Sequence, residues 1–97
     1  MPTYITLMQW TQDGVKSAKE APARLDAGKQ LVKSLGGEIK DFYLVMGEYD
    51  FVLISEAPDD ETVAKALIMT GMQGFVRTRT MRAFNEDEYR KIIAGLP

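Results

Sequence analysis

Cysteine and histidine are both absent from this 97-residue sequence. Without cysteine there is no disulfide, no thiolate nucleophile and no zinc–thiolate site. Without histidine the chain lacks the commonest acid–base group and the commonest metal and haem ligand. Most catalytic constellations are thereby removed, and neither a metal nor a cofactor is assigned. An excess of positive charge is missing as well: 12 Lys and Arg against 14 Asp and Glu give a net charge of −2. The electrostatic footprint of a nucleic-acid or anionic-membrane binder is therefore not there. No apolar run approaches the roughly 20 residues of a membrane helix, and the N-terminus has neither the basic start nor the apolar stretch of a signal peptide. A cytoplasmic location is expected. Repeats, low-complexity tracts and flexible linkers are absent, so the four Pro and eight Gly act as punctuation.

What is present suits one folded unit. Forty-five per cent hydrophobic and 27% charged residues fit a globular chain, expected as a single domain over residues 1–97. Residues 3–11 mix β-branched and aromatic types and read as a first strand. A helical stretch opens at Asp13 and Gly14 and is broken by Pro22, which lacks an amide hydrogen. From Pro22 onward, Leu25, Gly28, Leu31, Val32 and Leu35 draw an apolar stripe that ends at Gly36-Gly37. Residues 38–46 and 49–56 read as strands two and three, joined through Gly47-Glu48 as a two-residue type II′ hairpin. Asp59 predicts the cap of a helix over 59–72, and Gly71 and Gly74 release the chain into a fourth strand over 75–83. Asn85, with Glu88 three residues on, predicts a capping box and a last helix carrying Tyr89, Ile92, Ile93 and Leu96 inward.

That order predicts an α+β fold, the ferredoxin-like βαββαβ arrangement with an added C-terminal helix. Helices cover one face of such a sheet, so the other face of a monomer should be polar. Here Ile5 and Leu7 point opposite to Met8 and Trp10, and Val52 and Ile54 opposite to Phe51 and Leu53. An apolar patch of this size on both faces predicts that a second copy of the chain covers the open one.

Alternation puts Arg77 and Arg79 on the subunit side of the fourth strand, with Val76, Thr78 and Thr80 toward the helices. Two guanidinium forks near Trp10, Tyr43 and Tyr49 suit a carboxylate or phosphate held between two sheets. The plainer reading is that these arginines pair with acids of the neighbouring subunit. Trp10, the sole tryptophan, serves either as a pocket wall or as a packing anchor. Tyr49 and Asp50 follow the hairpin and either relay a proton or hold the turn, Asp50 accepting amide hydrogen bonds. The acids Asp59, Asp60, Glu61 and Glu86, Asp87, Glu88 stand where helix starts favour negative charge, and the six methionines suit core packing rather than metal binding.

The string Gly47-Glu48-Tyr49-Asp50 resembles the G-x-Y-D motif of the GYD domain family. Pro2-Thr3-Tyr4 with Trp10-Thr11, the stretch around Pro22, Leu35-Gly36-Gly37, Ala57-Pro58-Asp59-Asp60 and the ending from Arg82 to Pro97 resemble that family too. The resemblance implies a dimeric α+β barrel and supplies no agreed activity. More distantly, Gly47 to Phe51 and Val76 to Thr80 resemble the effector-sensing domain of leucine-responsive regulators, which binds small amino acids where subunits meet. That resemblance implies a stand-alone ligand-binding module, since no helix-turn-helix is present. Monooxygenases, haem enzymes and isomerases share the barrel. The cofactor-free monooxygenases rely on an Asn and two Trp, whereas this chain offers only Trp10, and its Asn85 is expected as a helix cap.

Three functions follow. The first is a small homo-oligomeric binding or accessory protein taking an organic anion or aromatic metabolite between its sheets. The second is a cofactor-free enzyme in the same cavity, with Asp50 or Tyr49 moving protons and Arg77 or Arg79 steadying negative charge. The third is a structural partner without a ligand.

Overall fold

The computed structural model describes residues Met1–Pro97. Strands β1 (Thr3–Trp10), β2 (Glu38–Leu44), β3 (Phe51–Glu56) and β4 (Val76–Ala83) form one antiparallel sheet in the order β2-β3-β1-β4. Helix α1 (Gln12–Lys16), a 3₁₀ turn at Ala18–Glu20 and helix α2 (Ala21–Ser34) link β1 to β2. Helix α3 (Asp60–Met72) links β3 to β4, and α4 (Glu86–Ala94) follows β4. This is the ferredoxin-like α+β fold with a C-terminal helix. No helix is long and apolar enough to cross a membrane.

Local chemistry explains most boundaries. Thr11 caps α1, its side chain accepting the Gly14 N–H at 3.1 Å, so the first strand ends at Trp10. Pro22 sits in the first turn of α2, where its missing N–H costs no helical bond. Past the other end, Gly36 takes φ of 89° and the Gly37 N–H returns to the Val32 carbonyl at 2.9 Å. Asp59 accepts both the N–H and the hydroxyl of Thr62, at 2.9 and 2.7 Å, and starts α3. Asn85 and Glu88 form the reciprocal capping box of α4.

Two expectations are corrected. Strand β2 stops at Leu44 and β3 begins at Phe51, so the hairpin connection is the six residues 45–50 and not a two-residue turn. At Asp50 the regular ladder ends: its N–H still donates to the Met8 carbonyl of β1 at 2.9 Å, but its carboxylate, not its backbone carbonyl, accepts the Trp10 N–H at 2.8 Å. Helix α4, in turn, does not fold inward: Tyr89 is 57% exposed and Leu96 62%. Strand β4 is the sheet edge and α2 and α3 line the helical side of the sheet, so α4, which follows the edge strand, buries none of its residues. Arg82 fixes the exit from β4 by stacking over Phe84 at 4.3 Å and pairing with Glu88 at 3.7 Å.

Candidate functional site

The strand registers sort every side chain onto one of two faces. Tyr4, Thr6, Met8 and Trp10 of β1 face the helices, and so do Phe51, Leu53 and Ser55 of β3, their cross-strand partners or neighbours. Thr80 joins this side, sharing a 2.9 Å hydroxyl bond with Thr6. The opposite, open face has Ile5, Leu7, Val52 and Ile54 at its centre, half-buried by their neighbours alone.

Arg77 and Arg79 stand on that open face at the β4 edge, opposite Gln9 and Leu7. Both are exposed, and neither enters any of the four ion pairs of the molecule. Tyr43 lies on the same face at the far edge, opposite Val52. Chaining the registers gives one transverse row, Arg79–Leu7–Val52–Tyr43. Three strand spacings separate its ends by about 14 Å. Within one copy, therefore, the arginines and Tyr43 share a face and do not touch.

Trp10 is not with them. Its register partner Val76 puts it on the helix side, edge-on to Phe51 with ring centres 4.8 Å apart. Tyr49 and Asp50 belong to the hairpin connection, and Asp50 is committed to structure. Its carboxylate accepts the Trp10 backbone N–H at 2.8 Å, its own N–H reaches Met8, and its carbonyl accepts from Val45 at 2.8 Å. Gln9 adds a 2.7 Å bond to the Glu48 carbonyl. Gly47 makes the excursion possible with φ of 132°, a value that side chains disfavour. The Gly47–Asp50 string thus ties the hairpin to the end of β1.

Two features escaped sequence reasoning. A bulge between Ile39 and Asp41 turns Asp41 onto the open face, opposite Ile54 and two residues from Tyr43. The signal was available: Ile39 and Phe42 are both apolar and three apart, which uninterrupted alternation cannot put on one side. The second is Tyr4, buried at 3% exposure with its hydroxyl donating to the Asp60 carboxylate. Burial foremost, then the bond to Asp60 and its charge, push the Tyr4 phenol up to about 12. Asp59 shifts the other way, its carboxyl lowered by the Thr62 backbone N–H and hydroxyl that it accepts.

With that geometry in view, the relatives are informative. Residues 4–93 match the GYD domain. A Thermus thermophilus protein named "glutamine synthetase and cystathionine beta-lyase binding protein" is 37% identical over 84 residues, 86% of this chain and 88% of that one. Among solved structures, a feast or famine regulatory protein from M. tuberculosis, complexed with L-methionine, superposes with a TM-score of 0.66 at 20% identity over 88% of this chain. This chain spans about half of that regulator, 51% of its length. A structure from Thermus thermophilus gives a TM-score of 0.55 at 23% identity, covering 88% of this chain and 95% of the other. At such identities the solved structures speak to the fold alone, whereas the match over nearly the whole sequence makes this chain a member of the GYD domain family.

Proposed function

We propose that this chain is a small binding or accessory protein that works as a homodimer, with the open sheet faces of two copies packed together and a small organic anion held in the seam beside Arg77 and Arg79. The observation that carries the reading is the row Arg79–Leu7–Val52–Tyr43: a cationic edge, an apolar middle and a phenolic edge. A second copy turned about an axis along the strands sets its β2 over β4 of the first. Arg79 then faces Tyr43 of the second copy, with Asp41 of that copy one position along. The apolar middle supplies the area and the arginines supply an anion subsite. Tyr49 and Asp50 support the subsite from the hairpin, and Trp10 backs the sheet from its other side. Asp50, already engaged by the Trp10 amide, is a turn anchor in this reading rather than a proton carrier. The methionine complex of the M. tuberculosis regulator supports a carboxylate ligand. A cytoplasmic setting belongs to the same reading.

Thermal shift against a panel of amino acids and small aromatic acids tests it, because a ligand held only by the folded state raises stability by RT ln(1 + [L]/Kd). At least one acid should raise the midpoint, and Arg77→Ala with Arg79→Ala should erase the rise. No response across the panel refutes the anion subsite.

A second reading draws on the 37% identical relative named for binding glutamine synthetase and cystathionine beta-lyase: the chain docks on a metabolic enzyme. Co-sedimentation with those two purified enzymes tests it, and independent sedimentation of both refutes it.

A further inference from the structure

The helical layer stands off the sheet around a hollow. Helices α2 and α3 and the helix-facing side of the sheet border a half-open cavity of about 620 Å³, and 21 of its 30 lining residues are hydrophobic. That volume falls within the roughly 300–1,000 Å³ typical of small-molecule sites. The core on this side is small, with Tyr4, Thr6, Phe51, Leu53 and Ser55 buried on the sheet and no residue of α2 or α3 buried, so the helices pack loosely over it. The polar part of the lining includes Thr6, Ser55, Thr62, Thr70, Gln73 and Glu56, whose carboxylate pairs with Lys40 at 3.8 Å. Leu25, Leu31, Leu53 and Leu67 are among its lining residues. Gly28, in mid-helix, borders the space, and a Cβ built there would meet nothing within 4 Å.

The cavity has one cationic end. Arg24 lines it where α2 begins, stacked over the Phe75 ring at 4.2 Å. Its guanidinium donates to the Ser17 hydroxyl at 3.2 Å and to the carbonyls of Ser17 and Gly14 at 3.3 and 3.4 Å. None of the four ion pairs includes it. Three of five N–H groups are thus used by neutral acceptors, and the charge has no carboxylate partner. Trp10 lies at the same end.

We infer that this cavity is a binding site for an amphipathic monocarboxylate with a linear apolar tail. The tail lies between the sheet and the leucines of α2 and α3, and the carboxylate meets Arg24. The aliphatic lining from α2 and α3, facing Met8, Ile39, Phe42, Phe51 and Leu53 of the sheet, matches an apolar chain, and a guanidinium without a carboxylate partner matches a single acid group. The site is on the opposite side of the sheet from Arg77 and Arg79, so it stands or falls independently of the function proposed above.

Trp10, the only tryptophan, is a built-in reporter. Decanoate and 1-decanol, which share a ten-carbon chain, are titrated below the decanoate micelle concentration while Trp10 emission and the thermal midpoint are followed. Decanoate should give a saturable change with one site per chain. Arg24→Gln should weaken decanoate about tenfold and leave 1-decanol unchanged, which also shows that the variant is folded. Gly28→Leu should raise the ligand-free midpoint and abolish both titrations, whereas Gly28→Ala should raise the midpoint and keep binding. No saturable change up to about 1 mM decanoate would overturn the site. So would decanoate binding to Gly28→Leu as to the unaltered chain, or equal weakening of acid and alcohol by Arg24→Gln.

Discussion

Arg79 and Tyr43 stand at opposite ends of one row across the sheet, with only Leu7 and Val52 between them. A sheet with unlike edges and an apolar middle complements itself when rotated about its strand direction. In the proposed dimer the polar ends of this face meet across the seam, and Asp41, opposite Ile54 on the same face, brings a negative charge to the edge that would face Arg79.

Charge reversal checks that orientation. Arg79→Glu and Asp41→Lys should each weaken dimerisation, by about tenfold, through like-charge contact across the seam. The double variant should recover part of the loss. Dissociation constants from sedimentation equilibrium decide it, and strictly additive losses would mean that the two edges do not meet.

Asp50 is expected to matter for folding. Asp50→Ala strips the acceptor from the half-buried Trp10 N–H and removes the side-chain tie of the hairpin to β1, leaving the Asp50 N–H to Met8 and the Gln9 to Glu48 bonds. A loss of about 1–3 kcal/mol is expected in urea unfolding, together with altered Trp10 emission. Unchanged stability would contradict the anchoring role of this motif.

Tyr4 sets a pH dependence. Its phenol rises from 10.0 to about 12 in the folded chain, first through burial and then through Asp60. The protonated form is thus favoured by folding. Its contribution is complete below the unfolded value near 10 and is lost as pH climbs through the folded value near 12. Denaturant midpoints between those limits should fall for the unaltered chain and fall less for Tyr4→Phe. Parallel profiles would contradict the assignment.

Gly14 tests the join of β1 to α1. A Cβ there would lie 1.9 Å from the Phe75 carbonyl oxygen, while the Phe75 carbonyl also accepts the Thr11 N–H at 3.0 Å. Backbone cannot yield as a side-chain tip can, so Gly14→Ala should cost roughly 3 kcal/mol by chemical denaturation. A cost near zero would contradict the close approach.

The fold was legible because its signals are local. Caps at Asp59 and Asn85, the break at Pro22 and the two-sided greasiness of β1 and β3 all lie in short windows. The face of Arg77 and Arg79 followed from alternation alone. What was hidden depends on partners far away in sequence. Alternation separated Trp10 from Ile5 and Leu7, but only the pairing with Val76 shows that it sits away from the arginines. The Gly47-Glu48 turn looked complete until Asp50 bonded to β1, forty residues earlier. Helix α4 carries a good apolar stripe, and no local rule says whether its own chain has room for it. Only the sheet order, with β4 at the edge, answers that.

Sedimentation velocity of the unaltered chain at micromolar concentration tests the proposed dimer most directly. Covered open faces require a species of twice the 10.9 kDa chain mass, or a multiple of it. A stable, well-behaved species at 10.9 kDa would leave Ile5, Leu7, Val52 and Ile54 facing water and would contradict the dimer.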